Sequence, residues 1–371
     1  MKRLKAHSAI VTLLVLVWAC SEVIDLQTDE SGGQVVIFGR VTNGTFGNFV
    51  SVSRTAPQGG APFPILGATV TITGSDGTSQ LLIPGDSGIY EFQPGSFLGG
   101  SIGESYSLTV QTGDKVYRTE PQLMPQNYGR ETMSFELGQI ETITSAQGTI
   151  TQDVASISAR TDFDELPEEF YLRWDIEEAY TYLGTWLPLR HYPLSGGSVQ
   201  CYVINDLNEQ RIFLHNGREN RATTIPARVF VDRVIDKSFQ TLHYFNLIRS
   251  SLSKQTYDYW SRIDLSVNRQ GSIFDVPPAG VPGNVLADTP DEEVLGYFEV
   301  VSVDTTRLAL TRRDVPVFFF DECDFTGPRF PELFTVPRDC RQCLADEGIV
   351  EESCLYCGRE PGNTNQRPSY F

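Results

Sequence analysis

The stretch "ATVTITGSDG" (Ala68–Gly77) constrains the fold of this chain more than any other. Val70 and Ile72 fall on one side of an extended backbone, and Thr69, Thr71 and Thr73 on the other, before Asp76-Gly77 turns the chain. Alternation with period two marks a half-buried strand, and a Gly-containing turn closes a hairpin. The same pattern recurs. In "QVVIFGRVTNG", Val35, Ile37 and Gly39 alternate with Val36, Phe38 and Arg40 ahead of Asn43-Gly44. "GIYEFQPG" and "ESYSLTVQTGDKVYRTE" continue it, with Tyr106, Leu108 and Val110 on one face. Strands at this spacing predict a β-sandwich over residues 34–137.

A larger β-rich domain is expected over residues 138–320. In "EEFYLRWDIEEAYTY", Phe170, Leu172, Trp174 and Ile176 share one face, and Tyr171, Arg173, Asp175 and Glu177 the other. That is a strand with an unusually polar second face. "VQCYVIND", "ARVFVDRVI" and "SFQTLHYFNLIRSSLS" also read as strands. One helix is clear, at about 253–269. Ser253 can cap it, Tyr257, Trp260, Ile263 and Val267 recur at helical spacing, and Gly271 stops it. A proline-rich loop then returns to a strand at Gly296–Val303, and "VPVFFF" reads as a buried strand. The expected class is therefore mainly β, two β-rich units with one helix.

The first residues carry an address. Lys2, Arg3 and Lys5 precede an apolar run from Ala9 to Ala19, too short to span a bilayer. This is the pattern of a secretory signal over residues 1–19. Ala19-Cys20 matches the bacterial lipoprotein junction, in which the Cys20 thiol is acylated, and residues 20–33 read as a tether. Acyl chains contribute roughly 0.8 kcal/mol per buried CH₂, enough for stable anchoring. Processing would remove three of 29 basic residues and none of 47 acidic ones, taking the formal charge from −18 to −21. Such a balance argues against nucleic acid and anionic lipid as partners.

An exported chain forms disulfides. Besides Cys20 there are Cys201, Cys323, Cys340, Cys343, Cys354 and Cys357, four of them as two Cys-x-x-Cys pairs in a tail over 321–371. The expected framework is nested, Cys340–Cys357 and Cys343–Cys354, with Cys201–Cys323 tying the tail to the body. Zinc on Cys340, Cys343, Cys354 and Cys357 is the competing reading; otherwise no cofactor is expected.

Two resemblances follow from these residues. "GRV", "LGATVTITGSDG" and "GIYEF" resemble a carboxypeptidase-regulatory-like, transthyretin-like sandwich (an Ig-type architecture), which implies an accessory module without chemistry of its own. "TYDYWSRIDLSVNRQGSIFDVPPAGVPGNV", then "LGYFEV", resembles the central signature of an exported lipoprotein family of Bacteroidota, domain of unknown function 4249. "CSEVIDL", "DCR" and "GNTNQRPSYF" resemble its start and ending, with "QCLADEGIVEESCLYC" inserted. The resemblance implies an outer-membrane, lipid-anchored protein often encoded near TonB-dependent transporters. It implies no reaction and no catalytic residue.

The residues themselves point to little chemistry. His191, His215 and His243 have no metal-binding spacing, and no Gly-x-Ser-x-Gly elbow occurs. "LSGGS" lacks the lysine of a phosphate loop, and "DFDE" runs into a proline rather than a calcium loop. "DFDELPEE" and "DIEEAY" offer the paired carboxylates of a glycosidase, and Tyr180, Tyr182 and Trp186 are candidates for stacking on sugar rings. Periodicity places Trp174 and Trp260 in the core. Pro277, Pro278, Pro282 and Asn284 are candidate partner contacts, because proline holds an extended shape at low ordering cost. The sequence thus favours a non-enzymatic outer-membrane lipoprotein, facing the periplasm or the cell surface, that serves as a binding or accessory subunit of a TonB-dependent transporter or envelope complex. A carbohydrate-active hydrolase or glycan-binding lipoprotein is the alternative.

Overall fold

The computed structural model describes residues 33–56, 60–97, 99–143, 148–184, 199–208, 211–268, 281–290, 292–315, 363–364, 367–368 and 370–371. The chain begins with β1 (Val35–Thr42), β2 (Phe49–Arg54), β3 (Phe63–Pro64), β4 (Thr69–Gly74) and β5 (Ser79–Leu81). It continues through β6 (Ile83–Pro84), β7 (Ile89–Glu91), β8 (Ser105–Thr112), β9 (Lys115–Thr119) and β10 (Gln122–Leu123). Longer strands follow: β11 (Arg130–Ile143), β12 (Thr149–Asp162), β13 (Tyr171–Gly184), β14 (Val199–Asp206), β15 (Phe213–Asn216), β16 (Thr224–Val234) and β17 (His243–Leu252). Helix α1 (Lys254–Asn268) precedes β18 (Val285–Ala287), β19 (Val294–Leu295), β20 (Phe298–Leu310) and β21 (Asn363–Thr364). The protein is mainly β, as its periodicity predicts.

Twelve strands join in one sheet along the path β21-β14-β13-β17-β20-β1-β2-β7-β6, with β15, β19 and β3 attached. A six-stranded sheet runs β18-β9-β8-β4-β5, with β10 on β8, and a three-stranded sheet runs β11-β12-β16. The large sheet is continuous because β1 pairs in parallel with β20, Gly39 opposite Phe298 and Thr42 opposite Val301. Residues 285–287 also complete the six-stranded sheet, against β9. The two sequence regions therefore interleave, and residues 137 and 138 both lie within β11.

Both small sheets pack on one face of the large one, and the alternation along β20 shows how. Phe298 and Val300 enter a core with Ile37, Val50, Val52, Leu108 and Val110, under the six-stranded sheet. Further along the same face, Leu310 enters a core with Trp174, Phe245, Leu247, Ile157 and Phe230, under the three-stranded sheet. Each such fully buried side chain contributes about 1.5–3 kcal/mol. The alternate residues of β20 point the other way. There Val301 and Val303 pack with Tyr257 and Trp260 of α1.

The join of β1 to β20 depends on local chemistry. Gly296 has φ +98°, and a Cβ there would sit 2.1 Å from the Ile37 carbonyl oxygen. Asn284 brackets the start of β20: its Nδ2 donates to the Phe298 carbonyl at 2.8 Å, and its Oδ1 accepts from the Phe298 amide at 2.7 Å. Helix α1 starts where its sequence predicts. Ser253 Oγ accepts from the Thr256 amide at 3.2 Å, and Lys254 pairs with Asp258 one turn on.

Candidate functional site

The polar face of β13 lies on the open side of the large sheet, under α1. Arg173 is buried there in a charge network, with Asp175 and Glu177 half-buried beside it. Glu299 of β20 accepts from Arg173 Nη1 at 3.0 Å and Nη2 at 3.2 Å, in the bidentate fork that guanidinium and carboxylate geometry favours. Arg40 Nε lies 3.2 Å from Glu299 Oε1, and Trp260 Nε1 of the helix donates to Glu299 Oε2 at 2.8 Å. The Arg173 guanidinium stacks 4.3 Å from the Trp260 ring centroid. Burial alone would raise the Glu299 carboxyl; Arg173 and Arg40 outweigh it and hold Glu299 below the usual range. Burial likewise disfavours charged Arg173, but Glu299 and Asp175 more than compensate. Burial lowers Arg40.

This network floors a cavity of about 310 Å³, lined from six strands and the helix. Phe38 and Phe49 form one wall, with ring centroids 5.9 Å apart. Asp175, Glu177, Asp206 and Asn208 form another. Glu177 accepts from Asn246 Nδ2 at 2.8 Å, and burial, with Asp206 and Asp175 nearby, pushes its carboxyl above the usual range. Beyond Glu177 the same face carries the chain terminus. Tyr370 accepts from Asn246 at 3.2 Å and lies under the Arg307 guanidinium, while Phe371 meets Tyr202 and Tyr244 edge-on.

Two further buried networks lie on the opposite face, toward the three-stranded sheet. Arg249 donates to both oxygens of Glu131, at 3.0 and 2.9 Å, and Trp174 Nε1 adds a bond at 3.2 Å. Glu178 accepts from Arg233 at 2.7 Å and Asn205 at 2.9 Å, and meets His243 Nε2 at 3.0 Å. Burial would raise Glu178, yet these partners depress it to about 2. His243 is fully buried, between the rings of Phe239, Phe245 and Tyr180. Both networks tie one sheet to another.

The residues singled out from sequence fall in varied places. Tyr180 is half-buried against His243, and burial next to Glu178 and Asp236 pushes its hydroxyl up to about 12. The side chain of Tyr182 and all of Trp186 lie outside the described residues, as do Pro277 and Pro278. Pro282 is exposed; Asn284 uses its amide on Phe298. Cys201 is buried and disulfide-bonded. Cys20, Cys323, Cys340, Cys343, Cys354 and Cys357 lie outside the described residues, and with them the nested pairing and the zinc reading. Among the described residues, no three His, Cys, Asp or Glu side chains are grouped to hold a metal. No helix among them is long and apolar enough to cross a membrane.

Glu299 and Arg40 were not singled out from the sequence, and Asn284 was singled out only as a partner contact. The signal was the signature itself: "YDYW", "GN" and "GYFE" hold Trp260, Asn284, Gly296 and Glu299, which meet at the β1–β20 join. Tyr259 and Tyr297 from the same motif stack at 4.3 Å. No curated protein matches the chain. A family model described as "Domain of unknown function (DUF4249)" matches residues 21–307. Since that match covers most of the sequence, including every residue of the network beneath α1, the chain belongs to the DUF4249 family.

Proposed function

We propose that this protein is a lipid-anchored outer-membrane lipoprotein that acts as a binding or accessory subunit of a TonB-dependent transporter or another envelope complex, without catalysis. The cavity beneath α1 is the observation that carries the reading. Its walls come from separate strands, and its buried charges are fixed by bonds to one another: Arg173 to Glu299 and Asp175, and Trp260 to Glu299. A concave surface held this way binds with little ordering cost. The anchor rests on the basic start, the apolar run and Ala19-Cys20. Ser21 after the acylated residue fits sorting to the outer membrane. The two-sheet unit formed with β1, β2, β4, β8 and β9 is read as a transthyretin-like accessory module.

Native co-purification from membranes solubilised in mild detergent tests the reading. The C-terminus is a poor place for a tag, because Phe371 packs against Tyr202 and Tyr244. The exposed β8–β9 turn at Gly113-Asp114 is a better one. A transporter barrel or envelope assembly at stoichiometric yield is the expected result. A monomer without partner that cleaves glycans would overturn it.

A further inference from the structure

We propose that the cavity beneath α1 binds an organic cation, an ammonium or guanidinium group carried on an apolar stem. This deepens the binding reading above and rests on it. Two arginines line the cavity against four carboxylates, so its wall carries two excess negative charges at neutral pH. Both arginines are already engaged. Arg173 is held by Glu299 and Asp175, and Arg40 by Glu299 and by Ser250 Oγ at 2.9 Å.

The acidic end of the cavity is less saturated. Asp206 is exposed and accepts the Asn208 amide at 2.9 Å, while Glu177 accepts one Asn246 N–H. Asn246, directly opposite Glu177 in the sheet and behind the lining, is 1% exposed, and its Oδ1 has no hydrogen-bond partner among the described residues. Among the described residues acceptors exceed donors at this end, an imbalance that a donor-bearing ligand would complete. Burial, with Asp206 and Asp175 nearby, holds Glu177 above the usual range even against the Asn246 bond and the more distant Arg307, a tension that an arriving cation relieves.

The other wall is aromatic. Phe38 and Phe49 are half-buried, and Trp260 meets Phe38 edge-on at 6.2 Å. A ring face attracts a cation through its quadrupole, and the phenyl walls suit an alkyl stem. The floor already holds this combination: Arg173 lies on the Trp260 ring with carboxylates around its edge. The open half repeats the rings and the carboxylates and leaves room for the cation. A volume of about 310 Å³ admits a group the size of a side chain. An anion would meet the excess negative charge, and a neutral alkyl group would leave the acceptors unpaired.

Saturation-transfer NMR on the detergent-solubilised full chain tests this, with n-butylguanidinium as probe and n-butanol and butyrate as controls. Saturable binding of butylguanidinium, about tenfold tighter than butanol, is expected. The double variant Glu177→Gln/Asp206→Asn should weaken it about tenfold. Asp206→Asn alone, at an exposed position, should weaken it with no change in the melting curve. Equal binding of either control, or full binding by these variants, overturns the proposal. Comparing arginine amide with a blocked Gly-Ser-Arg-Ser-Gly peptide separates the sources: preference for the amide assigns a small solute, and preference for the peptide a partner's basic side chain. A partner recovered by co-purification with no probe binding overturns the cation assignment and leaves the accessory reading intact.

Discussion

Replacing Glu178 with glutamine removes the charge that Arg233, Asn205 and His243 surround between β13 and the three-stranded sheet. Glu178 is 2% exposed, and its carboxyl stands at about 2 against an ordinary 4.5. A carboxyl depressed in the folded state stabilises the fold fully above its unfolded value. The contribution fades as pH falls from about 4.5 toward about 2. The displacement corresponds to stabilisation on the order of 3 kcal/mol. Breaking a buried pair by removing one partner costs about 3–5 kcal/mol; Arg233 keeps the partly exposed Asp236 at 3.0 Å, so the lower end applies. Urea unfolding followed by tryptophan fluorescence should therefore show Glu178→Gln less stable by about 3 kcal/mol at neutral pH. The gap should narrow steadily below pH ~4.5 as wild-type Glu178 takes up its proton. A gap that is constant with pH, or below about 1 kcal/mol at pH 7, would refute the assignment.

Three further outcomes are expected. Gly296→Ala forces an L residue into positive φ with its Cβ against the Ile37 carbonyl, so the β1–β20 join should be destabilised by about 3 kcal/mol, read from the thermal midpoint. Trp260→Phe keeps a ring over Arg173 but removes the N–H to Glu299. It should cost about 1–2 kcal/mol, against about 3–5 for Trp260→Ala, and equal losses would contradict the Glu299 bond. Cys20→Ser should move the protein from the membrane fraction to the soluble one, and retention on membranes would contradict the lipid anchor.

The strands were legible because alternation is local. Val35 and Ile37, and Val70 and Ile72, are buried as their period demands. So was the start of the helix, since a cap is a local signal and Ser253 caps it; Gly271, expected to stop it, lies outside the described residues. Trp174 is buried at 1%, as periodicity places it, whereas Trp260 is half-buried, one side on Arg173 and the other lining the cavity. The pairing of β1 with β20 was not legible. It joins Gly39 to Phe298, and no local pattern records a contact across such a separation. The polar face of β13 was visible as a pattern, but the pattern reads the same for a solvated face as for a buried one. Only the arrival of Arg40, Glu299 and Trp260 from three other elements makes it a site. The proline loop was read as a contact surface; the hold of its Asn284 on the backbone of Phe298 was not legible.

Site-specific photo-crosslinking in cells tests directly whether the cavity beneath α1 is the binding surface. A photoreactive phenylalanine analogue would replace Phe49 at the cavity wall, or Arg118 on the exposed side of β9 in the six-stranded sheet. A discrete partner adduct is expected from position 49 and none from position 118. An adduct from position 118 with none from position 49 would contradict this, by placing the interaction surface on the opposite face of the molecule.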